Sequence, residues 1–178
     1  MTTGWKIYWL LVLAMVVVAC AMSFWTIPII MQSAGGLMPF DLRPTGYSLE
    51  DAKQFLGALS ADGMSVYQGA QNQLDTAYPA LQGVVLVIAL RWFSQNWPVL
   101  ARVVLVVFPI IGAAADYLEN AAVSKMLIAG AEQVTAEMVA AANGWTVIKS
   151  TAITVSMLAL LGFLLVALVR RLRSGKAE

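Results

Sequence analysis

Four long apolar runs occupy most of the chain, at residues 5–31, 64–93, 98–128 and 136–170, and polar breaks separate them. Each run exceeds the roughly 20 residues that a helix needs to cross about 30 Å of hydrocarbon. Each is therefore predicted to be a membrane-spanning helix. The first break is the longest. Gln32 to Tyr47 contains Gly35-Gly36, Pro39 and Pro44, which is loop chemistry. Ser48 then reads as an N-cap with Asp51 three residues on, in a capping-box position. Behind it Leu49, Ala52, Phe55, Leu56 and Leu59 fall on an arc of about 120°, with Glu50, Asp51 and Gln54 pointing elsewhere. A short amphipathic helix over about 49–60 is expected, lying on the membrane surface or lidding the bundle. Ala61-Asp62-Gly63 is expected to break it. The second break is Ser94 to Trp97 and the third runs from Ala129 to Val134, with Thr135 placed to cap the last helix. Pro28 and Pro79 predict kinks, and Asn143-Gly144 a further break.

One run departs from the apolar pattern. Tyr67, Gln71, Asp75, Tyr78 and Gln82 recur every three or four residues. On a helix of 3.6 residues per turn they form one stripe about 80° wide. Such a stripe is excluded from lipid and must face protein, water or a ligand. The third span carries Asp116, Glu119 and Asn120 within about 100° of one another, directly after the small-residue patch Gly112-Ala113-Ala114-Ala115. The fourth carries Lys149.

Composition agrees with the pattern. The chain is 60% hydrophobic and 12% charged, against about 45–50% and 25% in soluble domains. Its 178 residues suit a single membrane domain, 1–178. The net charge of +1 gives no electrostatic case for nucleic acid. The absence of His removes the commonest general base and zinc ligand. A lone Cys excludes an internal disulfide and a CxxC pair. Val17-Val18-Ala19-Cys20 loosely resembles a lipoprotein cleavage box. The apolar run continues past it to Met31, so a full span is expected, with Cys20 as a buried thiol.

Charge sets the expected orientation. On one side fall Lys6, Arg91, Arg102, Arg170, Arg171, Arg173 and Lys176, opposed by Glu178 alone; the other side holds the remaining acids. The positive-inside rule then places both termini in the cytoplasm. The fold class expected is thus all-α integral membrane: a four-helix transmembrane bundle, N-in and C-in, with one short amphipathic helix in the first outer loop. The same topology gives depth. Asp75 lies 16 residues from Arg91, Asp116 14 from Arg102 and Lys149 21 from Arg170, or about 24, 21 and 31 Å along the helix axes. All three come to the outer leaflet at a similar level.

An unpaired charge at that depth costs on the order of 2–3 kcal/mol. Three carboxylates and one ammonium do not balance, so a proton, an outside cation or water must complete the set. Lys149 is expected at the centre, with Asp116 or Asp75 as its first partner. The candidate cluster is Tyr67, Gln71, Asp75, Tyr78, Asp116, Glu119, Asn120 and Lys149. It reads either as a polar pocket for a small molecule or lipid, or as a structural staple that fixes helix register.

No Gly-rich phosphate loop, HExxH or Ser-His arrangement occurs. Leu74-Asp75 and Ala115-Asp116 also differ from the Tyr-Asp and Gly-x-Gly-Asp pairs of the aspartyl intramembrane proteases. No catalytic residue, cofactor or metal site is assigned, although Asp75, Asp116 and Glu119 together would suit a hard cation such as Ca²⁺ or Mg²⁺. Beyond Gln82 the second span has no polar residue before Arg91, and Val103 to Ile111 has none either, which argues against a transmembrane conduit. In the first loop, Arg43 is expected to pair with Asp41 or to cap a helix end.

The pattern Pro39-Phe40-Asp41-x-Arg43-Pro44-x-Gly46-Tyr47, then Asp75-x-x-Tyr78-Pro79, then Asp116-x-x-Glu119-Asn120, resembles small four-span bacterial membrane proteins that bring no known activity. The resemblance implies a multi-pass protein of the inner membrane. The expected role is a non-enzymatic binding or accessory component, whose partners are the bilayer and a small molecule, lipid or membrane protein. The alternative is a membrane enzyme or ion-binding protein that uses Asp75, Asp116 and Glu119 with Lys149.

Overall fold

The computed structural model describes residues 2–174, and every regular element among them is helical. In chain order these are α1 (Thr3–Ser33), α2 (Leu49–Ala58), α3 (Ala61–Phe93), α4 (Val99–Gln133) and α5 (Ala136–Ser174). Four of them, α1, α3, α4 and α5, are long and apolar enough to cross a membrane. Even the shortest, with 31 residues, reaches about 46 Å at 1.5 Å per residue.

α4 is the central helix, packed against both α3 and α5, whereas α1 leans mainly on α3. Small residues make the close approaches. A Cβ on Gly83 would lie 3.2 Å from the Cβ of Ala113, and one on Gly112 would lie 2.6 Å from Ile153 Cδ1. The Gly112–Ala115 patch thus works on two sides at once. Helix contacts of this kind replace the hydrophobic drive that lipid cannot supply.

The conventional hydrophobic core sits at one end of the bundle. Phe40, Tyr47, Ala52, Phe55 and Leu56, from the α1–α3 connection and α2, bury against Ile30 of α1, Val123, Met126 and Leu127 of α4 and Ala142 of α5. Ser48 caps α2 as its sequence implies: Asp51 N–H donates to Ser48 Oγ at 3.1 Å, and Ser48 N–H donates to Asp51 Oδ2 at 2.9 Å. Arg43 neither pairs with Asp41 nor caps a helix. Its Nε and Nη2 donate to the Met38 carbonyl at 2.9 and 2.6 Å. Its guanidinium also lies 5.6–5.9 Å from the ring centroids of Phe40, Tyr47 and Phe55, a cation–π strap over the aromatic cap.

Several boundaries differ from the sequence reading. Ala61-Asp62-Gly63 does not break a helix; it opens α3. Ser60 Oγ accepts the Gly63 N–H at 3.2 Å, so the break lies at Leu59-Ser60. Asn143-Gly144 does not interrupt α5 either. The Asn143 amide is spent on a tertiary brace, accepting from Tyr47 N–H at 3.2 Å and donating to Tyr47 C=O at 2.7 Å. α4 extends to Gln133, but Gly130 turns the chain with φ 67°, a conformation that glycine alone adopts without strain. Cys20 is exposed, not buried, because α1 packs by one face only.

α1 and α3 each contain one widened, π-helical turn, at Met22–Thr26 and Tyr67–Gln71. In α1 the cause is legible: Pro28 has no N–H for the carbonyl of Phe24, and the helix widens just before it. The two turns touch, and Thr26 Oγ1 donates to Gln71 Oε1.

Glycine substitutions test this packing. A Cβ on Gly63 would fall 2.4 Å from Ser33 Cβ, whereas one on Gly144 meets nothing within 4 Å. Gly63→Ala is expected to lose about 1–3 kcal/mol by overpacking, despite its better helix propensity. Gly144→Ala is expected to gain up to about 1 kcal/mol. Thermal unfolding of the purified variants in detergent reads both signs.

Candidate functional site

The polar stripe of α3 begins inside its widened turn and continues past the buried Pro79 to Gln82. A proline at 79 leaves the carbonyl of Asp75 without its helical donor. Asn120 of α4 supplies one, Nδ2 donating to Asp75 C=O at 3.2 Å. One residue on, Tyr117 Oη donates to Thr76 C=O at 2.8 Å. α4 therefore repairs the proline defect of α3, as an apolar environment requires.

The charged residues of α4 and α5 form a compact group. Glu119 is fully buried. Its Oε2 is in ion-pair contact with Lys149 Nζ, and its Oε1 accepts from Thr146 Oγ1 at 2.6 Å. Lys149 Nζ also lies 3.4 Å from Asp116 Oδ1. The expectation that Asp116 or Asp75 would be the first partner of Lys149 is corrected here: the first partner is Glu119. Its longer side chain crosses the α4–α5 seam, while Asp75 is engaged on its own helix, accepting from Gln71 Nε2 at 2.8 Å.

Beside this group lies a cavity of about 140 Å³. Asp75, Asp116 and Lys149 line it together with Tyr67, Gln71 and Tyr78. The three residues on three different helices thus meet around one space. Asn120 lies just outside, against a smaller void that it shares with Asp75 and Tyr67. Glu119 is set behind Lys149, and Gln82 points back along α3, its Nε2 donating to Tyr78 Oη at 3.1 Å.

A further carboxylate, unassigned in the sequence reading, completes the lining. Asp41 comes from a single 3₁₀ turn, Phe40–Leu42, in the α1–α3 connection. Its Oδ2 accepts from Tyr67 Oη at 2.7 Å, and its Oδ1 is buried with no hydrogen-bond partner. Burial pushes the Asp41 carboxyl above the usual carboxylate range, against the opposing pull of Lys149 and of the Tyr67 hydroxyl. Thr26 and Thr146 were likewise missed; both are fully buried and bonded to cluster members. Among the described residues no group of three or more acidic or thiol side chains converges closely enough to hold a metal ion. Of Asp75, Asp116 and Glu119, the last two turn to Lys149.

No family model, curated protein or solved structure matches this chain.

Two outcomes follow. Lys149→Met leaves Glu119 buried without a counter-charge and is expected to cost about 3–5 kcal/mol, most of it recovered in Lys149→Met/Glu119→Gln. A double-mutant cycle in denaturant unfolding measures the coupling. For Asp41 the folded pKa lies above the unfolded one, so the folded protein binds more protons between the two. Its contribution is intact below about pH 3.9, falls as pH rises from there to the raised folded value, and is flat beyond. The stability of the wild type minus that of Asp41→Asn, followed against pH, should decline in that window; a rise would show the opposite shift.

Proposed function

We propose that this protein is a small multi-pass component of a bacterial inner membrane, with both termini in the cytoplasm. In this reading it binds a small polar molecule or a lipid headgroup, without catalysis, in a cavity at outer-leaflet depth. The excess of Lys and Arg on the side opposite the aromatic cap supports the orientation. In that orientation the aromatic cap and α2 close the outer end of the bundle. The cap supplies one wall of the cavity, through Pro39, Asp41 and Leu42, and Arg43 fastens it.

The observation that carries the binding reading is a division of labour within the cluster. Lys149, Glu119 and Thr146 are bonded to one another, and Asn120 and Tyr117 are bonded to α3. These residues align helices and fulfil the staple role. Asp41, Asp75, Tyr67 and Tyr78 line an open space beside them, which Lys149 also touches. A pure staple would close on itself; this one leaves a lined cavity beside it. Binding sites in helix bundles are commonly built in this way, from a few polar groups in an apolar wall, here Met22, Ile27, Ile30 and Leu42.

Accessibility is the test. In a Cys20→Ser background, Tyr78→Cys places a thiol on the cavity wall. A water-soluble, charged methanethiosulfonate reagent added to the outer face of right-side-out vesicles is expected to modify it. A thiol that stays unmodified in folded protein, or that reacts only from the cytoplasmic face, overturns the reading.

A further inference from the structure

The cavity holds more carboxyl groups than its one protein cation can pair. Asp41, Asp75 and Asp116 line it and Glu119 stands behind, with Lys149 as the only cationic side chain among them. Lys149 is already shared between Glu119 and Asp116. The carboxylates of Asp41 and Asp75 therefore have neutral donors only, the Tyr67 hydroxyl and the Gln71 amide. Asp41 also keeps one buried oxygen without any donor. A buried acceptor left unmade is costly, which leaves this carboxyl short of a donor beside the cavity.

The walls narrow the choice of ligand. The acidic side chains are not arranged to hold a metal ion among the described residues. The remaining lining is Met22, Ile27, Ile30, Pro39 and Leu42, with the rings of Tyr67 and Tyr78 beside the carboxylates. Aromatic faces attract organic cations, and apolar walls accept an alkyl stem. A volume of about 140 Å³ is far above the 10–15 Å³ or so that one water requires.

We propose that the cavity takes the ammonium group of a primary amine between Asp41 and Asp75, with the alkyl portion of the amine along Met22, Ile27, Ile30 and Leu42. The inference rests on the binding reading above and names its ligand class. Two sources carry this chemistry: a free alkylamine, and the ethanolamine headgroup of a phospholipid.

Purified protein in dodecyl maltoside is titrated with butylammonium chloride, with butanol and sodium butyrate as neutral and anionic analogues. A parallel sample is reconstituted into phosphatidylglycerol nanodiscs with and without phosphatidylethanolamine. Butylammonium is expected to raise the melting temperature saturably, with neither analogue doing so. Calorimetry should show at least ten-fold weaker binding in Asp41→Asn and in Asp75→Asn, and unchanged binding in the surface variant Glu137→Gln. Leu42→Lys, which brings its own ammonium to the cavity wall, should abolish binding; it serves if the Asp75 variant does not fold. Stabilisation that appears only with phosphatidylethanolamine, and is lost in Asp41→Asn, assigns the lipid source. Equal stabilisation by butanol and butylammonium, no saturable effect of either amine source, or full affinity in Asp41→Asn each overturn the proposal. Labelling of Tyr78→Cys without amine binding sinks this inference alone; absence of labelling sinks the pocket as well.

Discussion

Glu119 is shut off from solvent on every side, and a carboxylate survives there because Lys149 and Thr146 reach it from the neighbouring helix. Coulomb attraction at close range in a low-dielectric interior is strong, and so is the penalty for losing either partner. That contact locks α4 to α5 at one height and one rotation. Lys149 is then held at the edge of the cavity, where Asp116 is also within reach.

The same demand, that no polar atom be left bare in an apolar setting, explains the irregular backbone. Pro79 would be a defect in α3, and Asn120 and Tyr117 supply the missing donors from α4. The widened turns of α1 and α3 lie side by side and are joined through Thr26 and Gln71. Residues from both turns, Met22, Tyr67 and Gln71, line the cavity. Widened turns push side chains out of helical register and are frequent at functional sites. Here they accompany a cavity bounded by residues of all four long helices.

The segment between α1 and α3 is more than a connector. It supplies Ala34, Phe40, Tyr47, Ala52, Phe55 and Leu56 to the conventional core of the molecule, and the Arg43 strap and the Asn143 brace hold it in place. That rigidity matters because the cap delivers Asp41 to the cavity. The long helices by themselves would present a cluster with one fewer acid and an open end. With the cap in place, the cavity becomes a bounded space with a definite charge.

Hydrophobic runs, capping residues and the three-and-four spacing of α3 made the four long helices, the capped α2 and the polar stripe legible from the chain alone. Burial in oil leaves a helix few choices about which face turns inward, and that periodicity is local. Partner choice was not local. Nothing in the spacing of Asp75, Asp116 and Glu119 reveals that Glu119 is the one that reaches Lys149, since side-chain length and helix rotation decide it together. Asp41 gave no signal beyond an unusual loop run, and its place depends on how that loop folds back over the bundle. Asn143-Gly144 resembled a helix break because a local reading counts only propensity, while the amide gains more from bonding Tyr47 across the structure. Sequence determined which stretches are helices and which side chains could not face lipid. Tertiary structure decided which of those side chains pair off and which are left facing a cavity, because that depends on the relative height and rotation of helices far apart in the chain.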